Sequence, residues 1–389
     1  MKKVLIIIDG LWPPVIKSSG MKIVHEYFKR LAENYEIHIL TSTTKFIAPN
    51  YVEWAKQQEA YNLYFHFIDA RRFDFNSFLK LLVGKILFII HVFKLIRTFK
   101  FSLIHEYGSL PILSLVTSFY KVYFKIPAIF TTCTVNTSFL ASFRYAWGIK
   151  FLDYFTLAGI ELTKKTLSCW PQYKEKIKFT PFGVDITSLK QPFKREELLK
   201  KFGLPRNKKI YTFIGPLEER KGFFTLIKAV NRIKEDGFFL LIVTYGLGGV
   251  DYKFKSHYEQ FKKLMKNKNY KVITGNQNVS EILRLTDIFV FPSTSLKGTL
   301  AQPLTLLEAL SFELPCIVSD LEENKRIVQD YTNGLLFRRK DDESLAVKME
   351  KLLRCNLSDG VSLNFSKFKK EYDISNTVLT VKEIYGNLI

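Results

Sequence analysis

Apolar segments of strand length alternate with longer segments of helical period along most of the 389-residue chain. Such alternation is typical of parallel β-sheets that are covered by helices. In the first half of the chain, the short apolar runs predict five strands: Lys3–Asp9, Glu36–Thr41, Leu103–Glu106, Ala128–Thr132 and Lys178–Pro181.

A second series of strands begins after the polar stretch at 203–207, which has the composition of a turn. The predicted strands of this series are Ile210–Ile214, Phe239–Thr244, Lys271–Thr274, Ile288–Pro292 and Cys316–Ser319. The pattern therefore predicts two α/β units, with a boundary within residues 186–207. A chain of this length with 47% hydrophobic residues is long enough to bury two cores.

One segment, Ser77–Lys100, is apolar and aromatic but contains five cations. Its longest run between charges is Ile86–Phe93, which is too short to cross a bilayer. Two interpretations stay open. The segment is either a largely buried helix of the first unit, or a helix whose exposed basic and aromatic residues lie on a bilayer surface.

The net charge of +21 indicates an anionic partner. Residues 1–200 contribute 28 Lys and Arg against 15 Asp and Glu (+13), and residues 201–389 contribute 30 against 22 (+8). Phosphorylated small molecules, an anionic membrane and nucleic acid would all be attracted. The chain has neither zinc-finger spacing nor an arginine-rich arm, so a nucleic-acid partner ranks last.

The cysteines and the N-terminus indicate a reducing compartment. Cys133, Cys169, Cys316 and Cys355 lack the paired spacing of a zinc site or a disulfide framework. The apolar run after Met1 ends at Asp9, so we interpret it as a buried strand rather than a secretion signal, and we expect a cytoplasmic protein.

Two loops that follow predicted strands carry candidate anion-binding residues. The loop at 12–20 ends in Ser19 and Gly20, just before a predicted helix whose N-terminal N–H groups favour anions. The loop at 215–222 places Arg220 and Lys221 before the predicted helix Phe223–Lys234. Ligands bind at this position in parallel sheets, and a lysine beside a helix N-terminus suits phosphate. Taken alone, the first loop fits an ordinary strand-to-helix connection and the second a solvated charged turn.

The segment 291–310 is the most informative. Pro303 stands where a helix should begin, which leaves N–H groups near Leu304 and Thr305 for a ligand. Glu308 lies one turn further on, in an otherwise apolar stretch. A carboxylate there must be exposed, paired or used, and its place favours contact with ligand hydroxyls.

Together these segments resemble the retaining nucleotide-sugar glycosyltransferases of the GT-B fold, specifically glycosyltransferase family 4 (group 1). Further segments that carry the resemblance are 103–105, 181–185, 275–276, 287–293, 302–308 and 333–336. The resemblance implies two Rossmann-like domains with parallel sheets facing across a cleft. An acceptor-binding domain would span 1–190, with helix 374–389 packing back on it, and a donor-binding domain would span 191–373.

The resemblance also implies roles for single residues. Lys221 would contact the donor diphosphate, Glu308 would accept hydrogen bonds from the ribose, and neither a metal nor a cofactor would be needed. The implied donor-binding residues are Ser19, Gly20, Gly215, Lys221, Gly275, Asn276, Gln302, Pro303, Leu304, Thr305 and Glu308. The implied catalytic residues are Lys221, Arg220 and Cys133.

Three departures from the family pattern bear on activity. Pro216 stands where the family usually has Arg, Leu300 where it has Glu, and Cys133 where it often has His. The leading hypothesis is a retaining sugar transfer from a nucleotide-diphosphate sugar to a membrane-associated or lipid-linked glycan, at the inner face of the cell membrane. The alternative is a weak or inactive GT-B protein that binds a nucleotide sugar and regulates or scaffolds a partner enzyme.

Overall fold

The computed structural model describes residues 1–8, 19–43, 49–69, 78–108, 111–132, 147–186, 194–244, 252–275, 277–295, 303–354 and 362–389. Its contacts divide the chain into two compact units. The first unit contains Met1–Gly183 and Ile374–Ile389, and the second contains Val184–Leu296 and Pro303–Asp373.

The first unit is built on a seven-stranded parallel sheet in the order β3-β2-β1-β4-β5-β6-β7. Its strands are β1 (Lys2–Ile8), β2 (Tyr35–Thr43), β3 (Leu63–Asp69), β4 (Leu103–Gly108), β5 (Ala128–Thr132), β6 (Tyr154–Leu157) and β7 (Ile177–Phe179). The helices of this unit are α1 (Ser19–Ala32), α2 (Pro49–Gln58), α3 (Phe78–Phe99), α4 (Pro111–Phe124) and α5 (Ile160–Cys169), and residues 147–151 are also helical.

The second unit is built on a six-stranded parallel sheet in the order β10-β9-β8-β11-β12-β13. Its strands are β8 (Lys209–Ile214), β9 (Phe238–Thr244), β10 (Tyr270–Thr274), β11 (Ile288–Phe291), β12 (Cys316–Ser319) and β13 (Gly334–Phe337). Its helices are α6 (Arg195–Phe202), α7 (Phe223–Arg232), α8 (Tyr252–Leu264), α9 (Val279–Leu285), α10 (Leu304–Ser311), α11 (Glu322–Ile327), α12 (Asp342–Arg354) and α13 (Ser366–Tyr372), and α14 (Ile374–Gly386) follows in the first unit.

The prediction of two parallel α/β sheets is confirmed, and the exceptions are three strands that the pattern did not reveal. β3 lies at an edge of its sheet, and its side chains are mostly half-buried, so its sequence lacks a continuous apolar run. β6 and β13 have four residues each, as do β11 and β12, which the pattern did reveal. β13 begins at a glycine and contains no β-branched residue, a composition that does not favour a strand.

The division between the units falls at Gly183, ahead of the expected boundary at 190. The backbone N–H of Val184 donates to the carbonyl of Tyr372 at 2.8 Å, and Val184 forms a parallel bridge with Asp373. A Cβ on Gly183 would stand 2.3 Å from the Cα of Ile374, so only glycine permits this approach. The chain thus enters the second unit at Val184 and leaves it at Asp373, through two backbone segments that lie side by side.

Helix α3 has a buried side and an exposed side in the part whose side chains the structure describes, residues 89–99. Val92 and Ile96 are buried, whereas Ile90, Lys94 and Arg97 are exposed. Among the described residues, no helix combines the length and the apolar character that crossing a membrane requires.

A buried polar chain connects α14 to the first sheet. His105 of β4 is bonded through Nδ1 to the Tyr385 hydroxyl at 2.7 Å and through Nε2 to the Thr131 hydroxyl at 2.6 Å. The Thr131 hydroxyl lies 2.5 Å from that of Thr156. Burial lowers the pKa of His105 to about 3, so the imidazole stays neutral in the folded protein.

Acid should therefore destabilise the first unit through His105. In the unfolded chain the imidazole takes up a proton below about pH 6.5, whereas the folded chain resists protonation down to about pH 3. The contribution is complete above the unfolded pKa and is lost as the pH falls. Between about pH 7 and pH 5, urea denaturation should show a loss of roughly 2 kcal/mol that the variant His105→Gln does not suffer. An equal loss in the variant would contradict the assignment.

Candidate functional site

The second sheet has a switch point between β8 and β11. Strand order runs from β8 to β9 and β10 on one side and to β11, β12 and β13 on the other. Helices on opposite faces leave a crevice at the carboxyl ends of the two central strands, which is where open α/β sheets bind ligands. The loop that follows β8 carries Arg220 and Lys221, and the chain after β11 continues to Pro303 and to helix α10, which contains Glu308.

The loop after β8 turns tightly into α7. A 3₁₀ turn covers Glu219–Lys221, and Gly222 then adopts a left-handed conformation with φ +69° and begins the helix. A Cβ on Gly222 would lie 1.7 Å from the carbonyl oxygen of Pro292. The N-terminus of α7 is therefore pressed against the end of β11, and a side chain at 222 would separate them.

Hydrogen bonds join the loops after β8 and β11. The backbone N–H of Thr294 donates to the Arg220 carbonyl at 2.9 Å, and its hydroxyl donates to the Glu219 carbonyl at 3.0 Å. The N–H of Ser295 donates to the Arg220 carbonyl at 3.3 Å. The backbone around Lys221 is thus fixed from both strands.

A second set of buried bonds, which the sequence did not lead us to expect, supports the same edge from β12. The Ser319 hydroxyl donates to the Ser293 carbonyl at 2.5 Å. The wholly buried Asn324 donates from Nδ2 to the Ser319 carbonyl and hydroxyl at 3.1 Å each. The sequence gives no sign that Asn324 is buried, because it stands among charged residues; in the structure its buried amide needs these partners.

Lys221 is a half-buried cation in this setting. Burial is the main cause that lowers its pKa below the ordinary lysine value, Arg220 lowers it further, and Glu218 acts in the opposite direction. The ion pairs found among the described residues do not include one to Lys221. Its Nζ lies 6.0 Å from the centre of the Phe291 ring. A partly desolvated cation of this kind gains most from an anionic ligand.

Arg220 differs from Lys221 because its charge is already compensated. Its Nε lies 2.5 Å from Oε2 of Glu218, two residues earlier in the same loop. Pro216, half-buried at the start of that loop, carries no charge. Lys221 is therefore the cation of this loop that is most available to a ligand.

Helix α10 presents its polar side chains on one face. Leu304, Leu306 and Leu307 are buried, whereas Thr305 and Glu308 are half-buried and lie one turn apart. The Pro303 carbonyl accepts the N–H groups of Leu306 and Leu307 at 2.9 and 3.1 Å. The N–H groups that precede them, at the positive end of the helix dipole, have no intrahelical acceptor.

The structure brings part of the expected site together. Gly215 is buried directly after β8, and Gly275, with φ +81°, follows β10, two strands and thus about 10 Å away. Ser19 and Gly20 begin α1 in the first unit. Cys133, Asn276, Leu300 and Gln302 lie outside the described residues.

The expectation that no metal is needed stays a prediction. In the described part of the chain, no group of three or more His, Cys, Asp and Glu side chains is arranged to hold a metal ion. The cationic and dipolar groups described above are the anion-binding elements that this part of the sheet offers.

Gly222→Ala tests the contact between α7 and β11. The new methyl group would overlap the Pro292 carbonyl and would occupy a positive-φ position, so we expect a loss of at least about 2 kcal/mol of unfolding free energy. Gly275→Ala is the matched control, since it shares the positive φ but has nothing within 4 Å of the added Cβ. It should cost only about 1 kcal/mol. Equal losses in chemical denaturation would show that the close approach is unimportant.

Comparisons with known proteins agree with this geometry. Residues 194–371 match the family model described as "Glycosyl transferases group 1". The UDP-Gal:alpha-D-GlcNAc-diphosphoundecaprenol alpha-1,3-galactosyltransferase of Escherichia coli is 27% identical over 218 residues, 55% of either chain. The alpha-galactosylglucosyldiacylglycerol synthase of Streptococcus pneumoniae is 28% identical over 179 residues, 44% of this chain and 45% of that protein. The similarity thus spans about half the length of each of these relatives.

A solved structure is similar over the whole chain. The HepE protein of Anabaena, in complex with UDP and glucose, superposes with a TM-score of 0.74 and 14% identity, covering 100% of both chains. At this level of identity the likeness concerns the fold.

Proposed function

We propose that this chain, which belongs to the group 1 glycosyl transferases and has the GT-B fold, transfers a sugar from a nucleotide-diphosphate sugar to an acceptor hydroxyl. The observation that carries the proposal is the half-buried Lys221, held at the start of α7 by backbone bonds from the loop after β11. UDP is bound in the structurally similar HepE.

Each donor-binding residue has a proposed role. Lys221 neutralises the diphosphate, and the N–H groups of Leu304 and Thr305 after Pro303 cradle it. Glu308 accepts hydrogen bonds from the ribose. The segment after Gly275, about 10 Å along the sheet edge, lies against the base.

The proposed reaction is a retaining displacement without a metal. The bond between the anomeric carbon and the diphosphate oxygen breaks, and the acceptor oxygen bonds to that carbon from the face that the diphosphate leaves. The hydroxyl proton passes to the departing diphosphate. Lys221 and the helix N-termini stabilise the negative charge that develops on the leaving group.

The acceptor is a lipid-linked or membrane-associated glycan in this proposal. The names of two relatives include a diphosphoundecaprenol-linked sugar and a galactosylglucosyldiacylglycerol. The net charge of +21 suits a protein that works at an anionic surface, here the inner face of the cell membrane.

A specific observation also favours the alternative of a weak or inactive protein. Arg220 is the residue that would replace the charge lost at Pro216, yet it is paired with Glu218. If this ion pair persists when the donor is bound, Arg220 does not replace that charge. The protein would then bind a nucleotide sugar without transferring it, as a regulator or scaffold of a partner glycosyltransferase.

Lys221→Ala should weaken UDP binding by about 10- to 100-fold in isothermal titration, since a charge-assisted contact to phosphate is lost. Lys228→Ala is the control, because Lys228 is an exposed cation on α7, the helix that follows Lys221. It should bind UDP as the wild type does. Equal UDP affinities of Lys221→Ala and wild type would show that UDP does not bind at Lys221.

Glu308 is tested through the sugar of the nucleotide. Wild type should prefer UDP over its 2′- and 3′-deoxy analogues, and Glu308→Ala should lose about ten-fold of that preference, because a carboxylate accepts from the missing hydroxyls. A preference that survives in Glu308→Ala would place the ribose elsewhere.

Release of UDP from UDP-galactose or UDP-glucose, in the presence of polyprenyl-diphosphate or diacylglycerol acceptors, separates catalysis from binding. An active enzyme should lose about 100- to 1,000-fold in kcat/KM when Lys221 is replaced by Ala. Tight UDP binding with no release on any acceptor would support the regulator instead.

A further inference from the structure

An aromatic face of the first unit faces solvent between three helical segments. Helix α4 packs against α3, where the Phe93 ring lies 6.1 Å from the Phe119 ring and 5.5 Å from the Tyr123 ring. On its other side α4 packs against residues 147–151, where the Ser118 hydroxyl donates to the Gly148 carbonyl at 3.2 Å. The outer surface of α4 lies between these two neighbours.

Large hydrophobic side chains are concentrated there. Of twelve exposed large hydrophobic residues among those that the structure describes, half lie on these three segments, between 43% and 64% exposed. They are Ile90, Phe119, Val122, Tyr123, Trp147 and Phe151, which we call the α4 face. Apolar side chains concentrated in this way mark an interaction surface, whereas scattered single ones do not.

Positive charge predominates around the α4 face. Asp153, two residues beyond Phe151, is already paired with Lys121 of α4 at 2.6 Å. Between Asp74 and Asp153 the sequence contains nine lysines and arginines and a single acidic residue, Glu106. Glu106 is buried, and its Oε2 accepts the Thr117 hydroxyl at 2.5 Å. The described cations Lys94, Arg97, Lys125 and Lys150 are exposed. The α4 face therefore combines aromatic side chains with positive charge and has no exposed carboxylate within this stretch.

We propose that the α4 face docks on the surface of an anionic lipid bilayer. Tyr and Trp rings and short apolar side chains suit the headgroup level, and lysine and arginine reach phosphates while their stems cover apolar surface. Two copies of the face would bring like charges together, so self-association is disfavoured. Docking through the α4 face would bring the enzyme to the membrane-bound acceptor of the proposed function. Only this link to the acceptor rests on the proposed function.

Flotation with vesicles tests this proposal on the whole chain and without nucleotide. Wild type should bind phosphatidylcholine vesicles that contain roughly 30% phosphatidylglycerol, and should bind neutral vesicles at least ten-fold less. Raising the salt from about 0.15 M to about 1 M should weaken the binding strongly. Binding that ignores the anionic lipid would overturn the proposal.

A matched pair of variants locates the surface. Phe119→Asp with Val122→Asp should lower vesicle binding at least ten-fold, whereas Val347→Asp with Leu379→Asp, at similarly exposed positions on α12 and α14, should leave it unchanged. Equal binding by both double variants would overturn the assignment. The assignment would also be overturned if the wild type formed a dimer, or bound duplex DNA with a strong salt dependence, and the Phe119→Asp and Val122→Asp double variant alone lost that association.

UDP affinity is measured on the same proteins without vesicles. The Phe119→Asp and Val122→Asp double variant should keep wild-type UDP affinity, which shows that it is folded and that only docking is lost. If the wild type did not bind UDP, this result would count against the donor site and not against the α4 face.

Discussion

The second unit depends on the close approach between Gly222 and the Pro292 carbonyl. This approach presses the start of α7 against the end of β11, and the bonds from Thr294 to Glu219 and Arg220 then fasten the two loops. The backbone beside the partly desolvated Lys221 is held by these bonds, so the point from which its side chain extends is fixed. A fixed backbone lowers the cost of ordering a binding side chain around a ligand.

Two neighbouring cations in this loop have different environments. Glu218 compensates Arg220, while burial and the adjacent guanidinium depress the pKa of Lys221. The same short segment therefore contains a structural ion pair and a cation that an anion would stabilise. Pro216 in the same loop carries no charge, so Lys221 and Arg220 are the cations that this loop offers near the switch point.

The sequence was informative where the physical signal is local. Continuous apolar runs revealed the central strands, and the proline at 303 correctly marked the start of α10. β6 and β13 were missed although β11 and β12, which also have four residues each, were predicted, so strand length was not the deciding factor. The contact of Gly222 with Pro292 and the hydrogen bond from Ser319 to Ser293 join residues of different strands and loops, so no local sequence pattern predicts them.

The adjacent backbone crossings at Val184 and Asp373 have a consequence for synthesis. The second unit is inserted between two parts of the first, and α14 emerges from the ribosome only after the whole insertion has been made. Until then, the nascent first unit lacks the Tyr385 hydroxyl that His105 contacts, and its sheet exposes the surface that α14 later covers. The inserted unit can therefore complete its fold before the unit that precedes it in the chain.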